Sequence, residues 1–325
     1  MKELYSFLIR FYSKLPFSIQ SRVKSIALSS GFLQKLKDDG YISESSKVRR
    51  FKLLEHIDLS VQEGLEIGAL SRPVVKKTGC DGRIFYVDFA TTEQLRTKYK
   101  GDPNVNIDEI VETDYVWGKQ TLPELLKGKV FDFVIASHVI EHVPNMLGWL
   151  QEVAAVLKDG GVLSLAIPDK RYSFDIKRNL TSMGELVESY LQDRRRPSVK
   201  SVFDHVASAA KVDLHQAWSG KLDQSKLNHY GTFLDAFNLV EMGQRNDDYR
   251  DVHVNIFTPN SFLKTLENAC TLKLLDFSVV DFYKTQRGTL EFFVSLQKVP
   301  RNISLEEKQT LQLKSIQLAA TKLIH

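Results

Sequence analysis

The stretch Gly64–Pro73, GLEIGALSRP, decides the fold. An apolar strand-like run ends at Glu66–Ile67, and Gly68 follows where the backbone must turn and can approach a ligand closely. Such strand-to-turn segments open nucleotide-binding α/β sheets. A dinucleotide site carries two further glycines that let the next helix pack against a pyrophosphate, but this chain has Leu70 and Pro73 there. The stretch therefore favours a ligand without a pyrophosphate.

From residue 64 to about residue 299, strand and helix patterns alternate, which is typical of a parallel α/β sheet. Apolar runs predict strands at 64–67, 84–87, 131–136 and 162–167. A helical pattern covers Met146–Leu157, and Gly160–Gly161 is predicted to end it as a C-cap. Two β-rich runs, 272–282 and 289–299, predict an antiparallel pair that closes the sheet. The fold class is therefore α/β, with a Rossmann-like, mostly parallel sheet.

Three segments extend this pattern. A basic helical extension is predicted for residues 1–50, the α/β domain for 51–299 and a polar helical tail for 300–325. Between about 168 and 258 the alternation stops, and a long segment rich in Arg, Asp, His and Tyr follows. Open α/β sheets bind ligands at the carboxyl ends of their strands, so this insertion is predicted to be a substrate lobe.

Positive charge is concentrated at the N-terminus. Residues 1–50 contain ten Lys and Arg but four acids, although the whole chain has a net charge of +4. Apolar residues recur there at helical spacing up to Pro16, so this helix could lie on an anionic membrane surface, or pack on its own domain or a second copy. No apolar run is long enough to cross a bilayer, and Cys80 and Cys270 lack metal-ligand spacing. We expect a cytoplasmic protein, with peripheral contact to the inner face of the cell membrane as an alternative.

Two acids indicate the ligand. Asp88 follows the second predicted strand, where a carboxylate can accept hydrogen bonds from both hydroxyls of a ribose. Glu66 precedes the turn and can hold an amino group. A ligand with a ribose, an adenine and an amino group but no phosphate suits both acids and the missing glycines. S-adenosyl-L-methionine has that chemistry.

The chain resembles the class I S-adenosylmethionine-dependent methyltransferases, and within them the type 11 group, over about residues 50–299. The resemblance is carried by LEIGALSRP, YVDFA, ETDYV, FDFVIASHVIEHVPN, LKDGGVLSLAIPD and the closing antiparallel pair. It implies a seven-stranded sheet with an antiparallel last strand, and Asp114 near the adenine. The implied cofactor-binding residues are Glu66, Gly68, Ala69, Asp88, Phe89, Asp114, Ser137 and His138.

A narrower resemblance concerns IPDKRYSFD, the pair Asp175 and Arg178, and DVHVNIFTP. These stretches are similar to parts of methyltransferases associated with bacterial surface polysaccharides such as O-antigen and capsule, which implies a sugar hydroxyl as acceptor and a glycosyltransferase as a potential partner. Carboxylates and guanidinium groups form forked hydrogen bonds to such ligands. The predicted acceptor contacts are Asp169, Arg171, Tyr172, Asp175, Arg178 and His205. No basic stripe with interleaved aromatic residues is present, so no nucleic-acid partner is expected.

Three residues after the fourth predicted strand carry the expected chemistry. His138, Glu141 and His142 have the spacing of one helical face. A histidine titrates near neutral pH and can take a hydroxyl proton, so His142 is predicted as the base, with Glu141 as its orienting carboxylate and His253 in reserve. As an alternative, His142 packs the start of a helix. The same trio could hold a divalent cation, as in quinone-pathway methyltransferases that are similar here, although no metal is the primary expectation.

Two other functions stay open. The N-terminal helix and the trio favour methylation of a lipid-like or quinone acceptor. A protein that keeps the fold without turnover would instead be a cofactor-binding scaffold. The sequence names neither the methylated position nor the oligomeric state.

Overall fold

The computed structural model describes residues 44–79, 82–245 and 250–323. The chain divides into two units, Met1–Phe51 and Lys52–His325. The amphipathic segment predicted up to Pro16 lies outside the described residues, as does Cys80.

Seven strands form one sheet, in the spatial order β3-β2-β1-β4-β5-β7-β6. Strand β7 is antiparallel to both of its neighbours, β5 and β6, whereas the pairs among β1 to β5 are parallel. The prediction of a mostly parallel sheet with an antiparallel last strand is therefore confirmed. The strands are β1 (Gly64–Ile67), β2 (Ile84–Asp88), β3 (Tyr115–Val116), β4 (Phe131–Ser137), β5 (Leu157–Pro168), β6 (Phe277–Tyr283) and β7 (Glu291–Lys298).

Helices connect and flank the strands. In chain order they are α1 (Glu44–Leu53), α2 (Thr92–Lys98), α3 (Leu122–Leu125), α4 (Met146–Val156), α5 (Met183–Leu191), α6 (Val199–Ser208), α7 (Leu214–Trp218), α8 (Phe233–Arg245), α9 (Pro259–Thr271) and α10 (Leu305–Thr321). Helices α5 to α8 lie in the segment between β5 and α9, where the sequence predicts the insertion. Among the described residues, no helix is both long and apolar enough to span a bilayer.

Apolar side chains cover both faces of the sheet. Along β4, Val134 and Ala136 belong to one buried cluster, and Phe133 and Ile135 belong to another. Because successive side chains of a strand point to opposite faces, these clusters lie on the two sides of the sheet. Trp149 of α4 fills the first cluster. Burial on both faces leaves the carboxyl ends of the parallel strands as the place for a ligand.

Two sequence predictions about element ends are wrong. Helix α4 ends at Val156 and β5 begins at once, so Gly160 and Gly161 lie inside the strand and do not cap the helix. Gly160 has φ +77°, and the pairing of β4 with β5 shifts register nearby, so the glycines accommodate a bulge. The run predicted to start at residue 272 begins as the cap of α9, and β6 starts only at Phe277.

The tail helix α10 packs on the edge of the sheet. Its Gln312 is buried, and Nε2 of this residue donates to the carbonyl oxygens of Leu275 (2.7 Å) and Phe277 (3.1 Å). Ile316 and Ala319 join the apolar cluster beside α9. The tail therefore contributes to the core next to β6.

Candidate active site

The turn after β1 is ordered by Glu66. The two carboxylate oxygens of this buried residue accept hydrogen bonds from the backbone N–H groups of Val74 (2.7 Å) and Val75 (3.0 Å). Gly68 has φ +70°, and a Cβ on it would lie 2.9 Å from a methyl group of Val139. Glu66 thus shapes the loop through backbone contacts that the sequence did not predict, and its contact with the amino group of the cofactor stays a prediction.

Asp88 ends β2 at the same edge of the sheet and is 9% exposed. Its Oδ1 accepts the N–H of Phe89 at 2.8 Å. Burial raises the pKa of Asp88 to about 6; nearby Asp251 adds to the rise, while Lys98 and the Phe89 N–H oppose it. The phenyl ring of Phe89 is partly exposed, with Nζ of Lys98 4.2 Å from its centroid.

Asp114 is hydrogen-bonded to the middle of β2. It precedes β3, and its Oδ2 accepts the N–H of Tyr86 in the middle of β2 at 2.7 Å. The residue that pairs with Asp88 is Val116, and the N–H of Trp117 donates to the carbonyl of Asp88 at 2.7 Å. The contact of Asp114 with an adenine stays a prediction.

Beyond β4, which ends at Ser137, His138 adopts φ +55°. Its Nε2 lies 2.7 Å from Oε2 of Glu291 on β7, and its Nδ1 lies 3.4 Å from Oε1 of Glu141. Burial disfavours a charged imidazole, but the two carboxylates outweigh this effect and raise the pKa of His138 to about 9. His138 is therefore a cation at neutral pH.

Glu141 is fully buried in the single 3₁₀ turn Ile140–His142. Among the described residues, neither of its carboxylate oxygens has a hydrogen-bond partner. Its backbone carbonyl accepts the N–H groups of Val254 (2.6 Å) and Asn255 (3.0 Å). The predicted α-helical face with His138 does not form, because His138 precedes the turn and the turn is 3₁₀.

His142 pairs with an acid that the sequence analysis did not single out. Its Nδ1 lies 2.8 Å from Oδ1 of Asp251, whose Oδ2 accepts a hydrogen bond from Nζ of Lys98 at 2.9 Å. Burial lowers the pKa of His142, but Asp251 and Glu141 more than compensate, so the pKa is raised overall. About a third of the His142 side chain is exposed (29%). The residue thus lies at the open side of the site.

His253, which lies in the predicted insertion, is next to His142. Its Nδ1 lies 2.6 Å from Oδ2 of the buried Asp175, and its ring meets that of His142 edge to face with centroids 4.6 Å apart. Nη1 of Arg178 donates to Asp175 (3.0 Å) and to the carbonyl of His253 (2.8 Å). Nδ1 of His205 accepts the N–H of His253 at 3.2 Å, and burial together with the neighbouring His253 lowers the pKa of His205 to about 4. Asp175 and Arg178 therefore support the histidines from a buried position, and His205 is neutral.

Of the other residues predicted to contact the acceptor, one is buried and two are partly exposed. Asp169 is fully buried and accepts hydrogen bonds from Thr285 (2.7 Å) and from the guanidinium of Arg171 (2.6 Å). Arg171 is half exposed (52%). The ring of Tyr172 stacks on Trp218 of α7 with centroids 3.9 Å apart. Arg171 and Tyr172 can meet a ligand, whereas Asp169 holds the end of β5 against the β6–β7 turn.

Three contributing residues escaped the sequence analysis. Asp251 orients His142, Glu291 pairs with His138, and Nδ2 of Asn255 donates to the carbonyls of Ile140 (2.9 Å) and Val143 (2.7 Å). Asp251 and Asn255 both lie in DVHVNIFTP, where no spacing marks them as neighbours of His142 or of the turn after β4. Glu291 gave no signal, because it opens an ordinary strand.

Two groups have donor atoms close enough together to hold a cation. In Glu141, His142 and His253 one potential ligand atom from each lies within 4.8 Å of the others, and the same holds for Glu55, His56 and Asp281. The first group replaces the predicted trio, since His253 takes the place of His138. Both belong to the described residues.

The edge formed by β1 and β2 fits S-adenosylmethionine. A Cβ at Gly68 would meet Val139, and the positive φ favours glycine there, so the missing side chain lets a ligand approach the backbone closely. Oδ1 of Asp88 accepts one backbone N–H, and the contact of this carboxylate with a ribose hydroxyl stays a prediction. Ala69 is buried behind the turn, and Phe89 presents an apolar ring. The chemistry of these groups matches a ribose, an adenine and an amino acid moiety.

Comparison with known proteins agrees with this geometry. Residues 58–269 match a family model described as a methyltransferase domain. A search of curated proteins finds no relative.

Among solved structures, similar chains include 1,6-didemethyltoxoflavin-N1-methyltransferase of Burkholderia thailandensis, with 13% identity, 86% of this chain and 90% of that chain covered, and a TM-score of 0.40. N-methyltransferase NodS of Bradyrhizobium japonicum WM9 has 11% identity, 79% and 99% coverage, and a TM-score of 0.37. An S-adenosylmethionine-dependent methyltransferase of Clostridium acetobutylicum has 10% identity, 91% and 100% coverage, and a TM-score of 0.37.

The family match spans more than half of the chain and carries the assignment. The strand order and the antiparallel β7 agree with it. The predicted cofactor, S-adenosyl-L-methionine, agrees with the match to a methyltransferase domain. The chain belongs to the methyltransferase domain family and has a Rossmann-like class I methyltransferase fold.

Proposed function

We propose that this enzyme transfers the methyl group of S-adenosylmethionine to a hydroxyl of a sugar in a bacterial surface glycan. The observation that carries the proposal is the group His142, Glu141 and His253, here called the histidine cluster, which lies beyond β4. Asp251 joins it to the cofactor edge through Lys98. A hydroxyl must lose its proton during methyl transfer, and imidazoles backed by carboxylates are suited to that step.

When bound, the cofactor supplies an electrophilic methyl group on a sulfonium. Asp88 and the turn at Gly68 would hold its ribose and methionine ends, and the exposed side of His142 would receive the acceptor. Transfer would form the bond from the acceptor oxygen to the methyl carbon as the bond from that carbon to sulfur breaks, and the histidine cluster would take the hydroxyl proton. Alignment of the two substrates supplies much of the rate. Ser137 is the last residue of β4, and His138 follows it. In the sequence both come after the residues of the cofactor edge and before Glu141 and His142 of the histidine cluster.

Recognition of a sugar is assigned to two partly exposed groups next to β5. Arg171 offers a guanidinium for forked hydrogen bonds, and Tyr172 with Trp218 offers an aromatic surface. An acidic sugar would gain from the arginine. Asp175, Arg178 and His205 act behind the histidines and are not proposed to touch the acceptor.

A lipid-like acceptor is the second candidate, and one observation favours it. Helix α8 exposes large apolar side chains, with 72% of Phe233, 67% of Leu234 and 56% of Phe237 accessible. Exposed apolar groups that lie close together are a common mark of contact with a lipid or a protein. This candidate places the protein on the inner face of the membrane, in agreement with the charge of residues 1–50.

Mass spectrometry tests the choice. Purified protein, S-adenosylmethionine and a panel of neutral sugars, acidic sugars and polyprenyl-linked glycans are incubated, and products heavier by one methylene are sought. Methylation of free or linked sugars supports the proposal, and a methylated lipid or quinone headgroup alone supports the second candidate. Tight cofactor binding without any product across the panel favours a non-catalytic scaffold.

A further inference from the structure

The buried carboxylate of Glu141 lacks the partners that such a group requires. It is 0% exposed, and both oxygens are without a hydrogen bond among the described residues. A buried carboxylate is costly unless it is paired, hydrogen-bonded or bound to a metal. Nδ1 of His138 lies at 3.4 Å from Oε1, a distance that allows charge attraction without hydrogen-bond geometry. His138 therefore balances part of the charge but satisfies neither oxygen.

Two imidazoles lie close to this carboxylate, one from the turn after β4 and one from the insertion. Ligand atoms of Glu141, His142 and His253 all lie within 4.8 Å of one another. The rings of His142 and His253 are nearly perpendicular, at 85°. Two nitrogens and one oxygen at this spacing can surround a single ion.

Each imidazole lies beside a carboxylate. Nδ1 of His253 shares a hydrogen bond of 2.6 Å with Asp175, as in metal-binding histidines, whereas Nδ1 of His142 lies 2.8 Å from Asp251 without hydrogen-bond geometry. When a carboxylate accepts the proton of one ring nitrogen, the other nitrogen keeps its lone pair for a metal. Arg178 in turn fixes Asp175.

We propose that Glu141, His142 and His253 bind one divalent transition-metal ion, such as Zn²⁺ or Mn²⁺. The two imidazoles favour Zn²⁺ over Mg²⁺ and Ca²⁺, and the carboxylate of Glu141 also suits Mn²⁺. Three protein ligands leave coordination positions open, as in catalytic metal sites, and the exposed side of His142 gives access to them.

The catalytic consequence rests on the function proposed above. A hydroxyl bound to the ion has a lowered pKa, so its proton can pass to solvent water while the oxygen attacks the methyl carbon. The bond between that carbon and sulfur then breaks, and the oxidation state of the ion does not change. In this arrangement His142 serves as a ligand, and the ion takes over the task assigned to a free histidine base.

The second group of donors provides a matched control. Glu55, His56 and Asp281 have the same spacing, but both acids already have donors. The hydroxyl of Tyr283 donates to Glu55, and Nζ of Lys322 donates to Asp281. We therefore expect no tight cation binding there.

The test uses the full chain after treatment with EDTA. Calorimetric titration with ZnCl₂ and MnCl₂ should give one ion per chain, and Glu141→Gln should weaken binding by at least about a hundredfold. Asp175→Asn, which leaves all three ligands in place, should weaken it by about ten- to a hundredfold, and Glu55→Gln should leave it unchanged. Thermal stabilisation by S-adenosylhomocysteine shows that each variant is folded.

Absence of stoichiometric binding, or equal binding by wild type and Glu141→Gln, overturns the inference. Full methyl transfer by the metal-free enzyme also overturns it and returns the base role to His142, while the proposed function stands. If one ion binds as expected but no sugar is methylated, the ion site stands and the sugar proposal fails. Should Glu141→Gln not fold, Asp175→Asn decides the ion question, with unchanged affinity counting against the site.

Discussion

The carboxylate of Asp251 lies 2.8 Å from Nδ1 of His142 and thereby fixes the imidazole that faces the open side of the site. Asp251→Asn keeps the shape but removes the charge that holds the ring. We expect turnover to fall by about ten- to a hundredfold, because orienting partners of catalytic or metal-binding histidines typically matter by that amount. Binding of S-adenosylhomocysteine, measured by calorimetry, should change by less than about threefold.

The control for this variant is Asp223→Asn. Asp223 is an acid that accepts hydrogen bonds from Ser225 in a surface turn. Its replacement should leave turnover unchanged. Equal loss in both variants would show that Asp251 has no special relation to His142.

Cofactor affinity should depend on Asp88. Asp88→Ala removes the acceptor for the ribose hydroxyls, and we expect most of the affinity for S-adenosylhomocysteine to disappear. In the wild type, S-adenosylmethionine should raise the melting temperature, whereas nicotinamide dinucleotides should not. Affinity of Asp88→Ala within twofold of the wild type would assign the ribose to another acid.

The pKa of Asp88 predicts a pH dependence of this binding. The carboxyl titrates at about 6 because it is buried, and the ionised form that exists above this pH is the better acceptor for ribose hydroxyls. The dissociation constant of S-adenosylhomocysteine should therefore be about tenfold higher at pH 5 than at pH 7. Calorimetry across this range measures it, with Asp88→Asn as a control whose weaker affinity should not vary. The same slope in that control would attribute the pH effect to other groups.

Gly68→Ala and Gly160→Ala form a matched pair. Both glycines have positive φ, +70° and +77°, so alanine strains either position by about 1–2 kcal/mol. At Gly160 nothing lies within 4 Å of the new Cβ, whereas at Gly68 it meets Val139 at 2.9 Å. We expect Gly68→Ala to lose more stability in urea unfolding and to weaken cofactor binding, and Gly160→Ala to leave binding intact. Identical binding by the two variants would remove the cofactor role of the turn.

Arg178 should matter for stability before it matters for the acceptor. Arg178→Met leaves Asp175 buried with one partner fewer, and breaking a buried ion pair typically costs about 3–5 kcal/mol. Arg301→Met tests the contrast, because Arg301 is 72% exposed and 3.9 Å from Asp159. That change should cost less than about 1 kcal/mol in urea unfolding. Similar losses of unfolding free energy in the two variants would mean that the buried pair of Arg178 and Asp175 adds little stability.

The sheet was predictable because its signals are local. The runs that form β1, β2, β4 and β5 are apolar and short, and the acid at Asp88 marks a strand end. The sequence shows that Glu141 and His142 are neighbours, but it does not show that His253 lies beside them. Hydrogen bonds from Val254 and Asn255 to the carbonyl of Glu141 hold His253 there.

Contacts between residues from different parts of the sheet could not be predicted from the sequence. His138, just after β4, pairs with Glu291 at the start of β7, and no spacing rule predicts a contact between residues so far apart in sequence. Burial also changed the meaning of charged residues. Asp169 and Arg178 are residue types that are common in ligand sites, yet each is buried and already has partners in the chain.

The segment between Thr181 and Ile256 begins and ends at one place. The N–H of Thr181 donates to the carbonyl of Ile256 at 3.1 Å, and Oγ1 of Thr181 accepts the N–H of Ile256 at 2.8 Å. Segments whose ends meet in this way can be exchanged without moving the scaffold. His253 lies close to the fixed end, so most of the intervening sequence could be grafted or diversified while the histidines keep their places. Exchange of the segment between Thr181 and Ile256 could thus direct the same catalytic scaffold to new acceptor molecules.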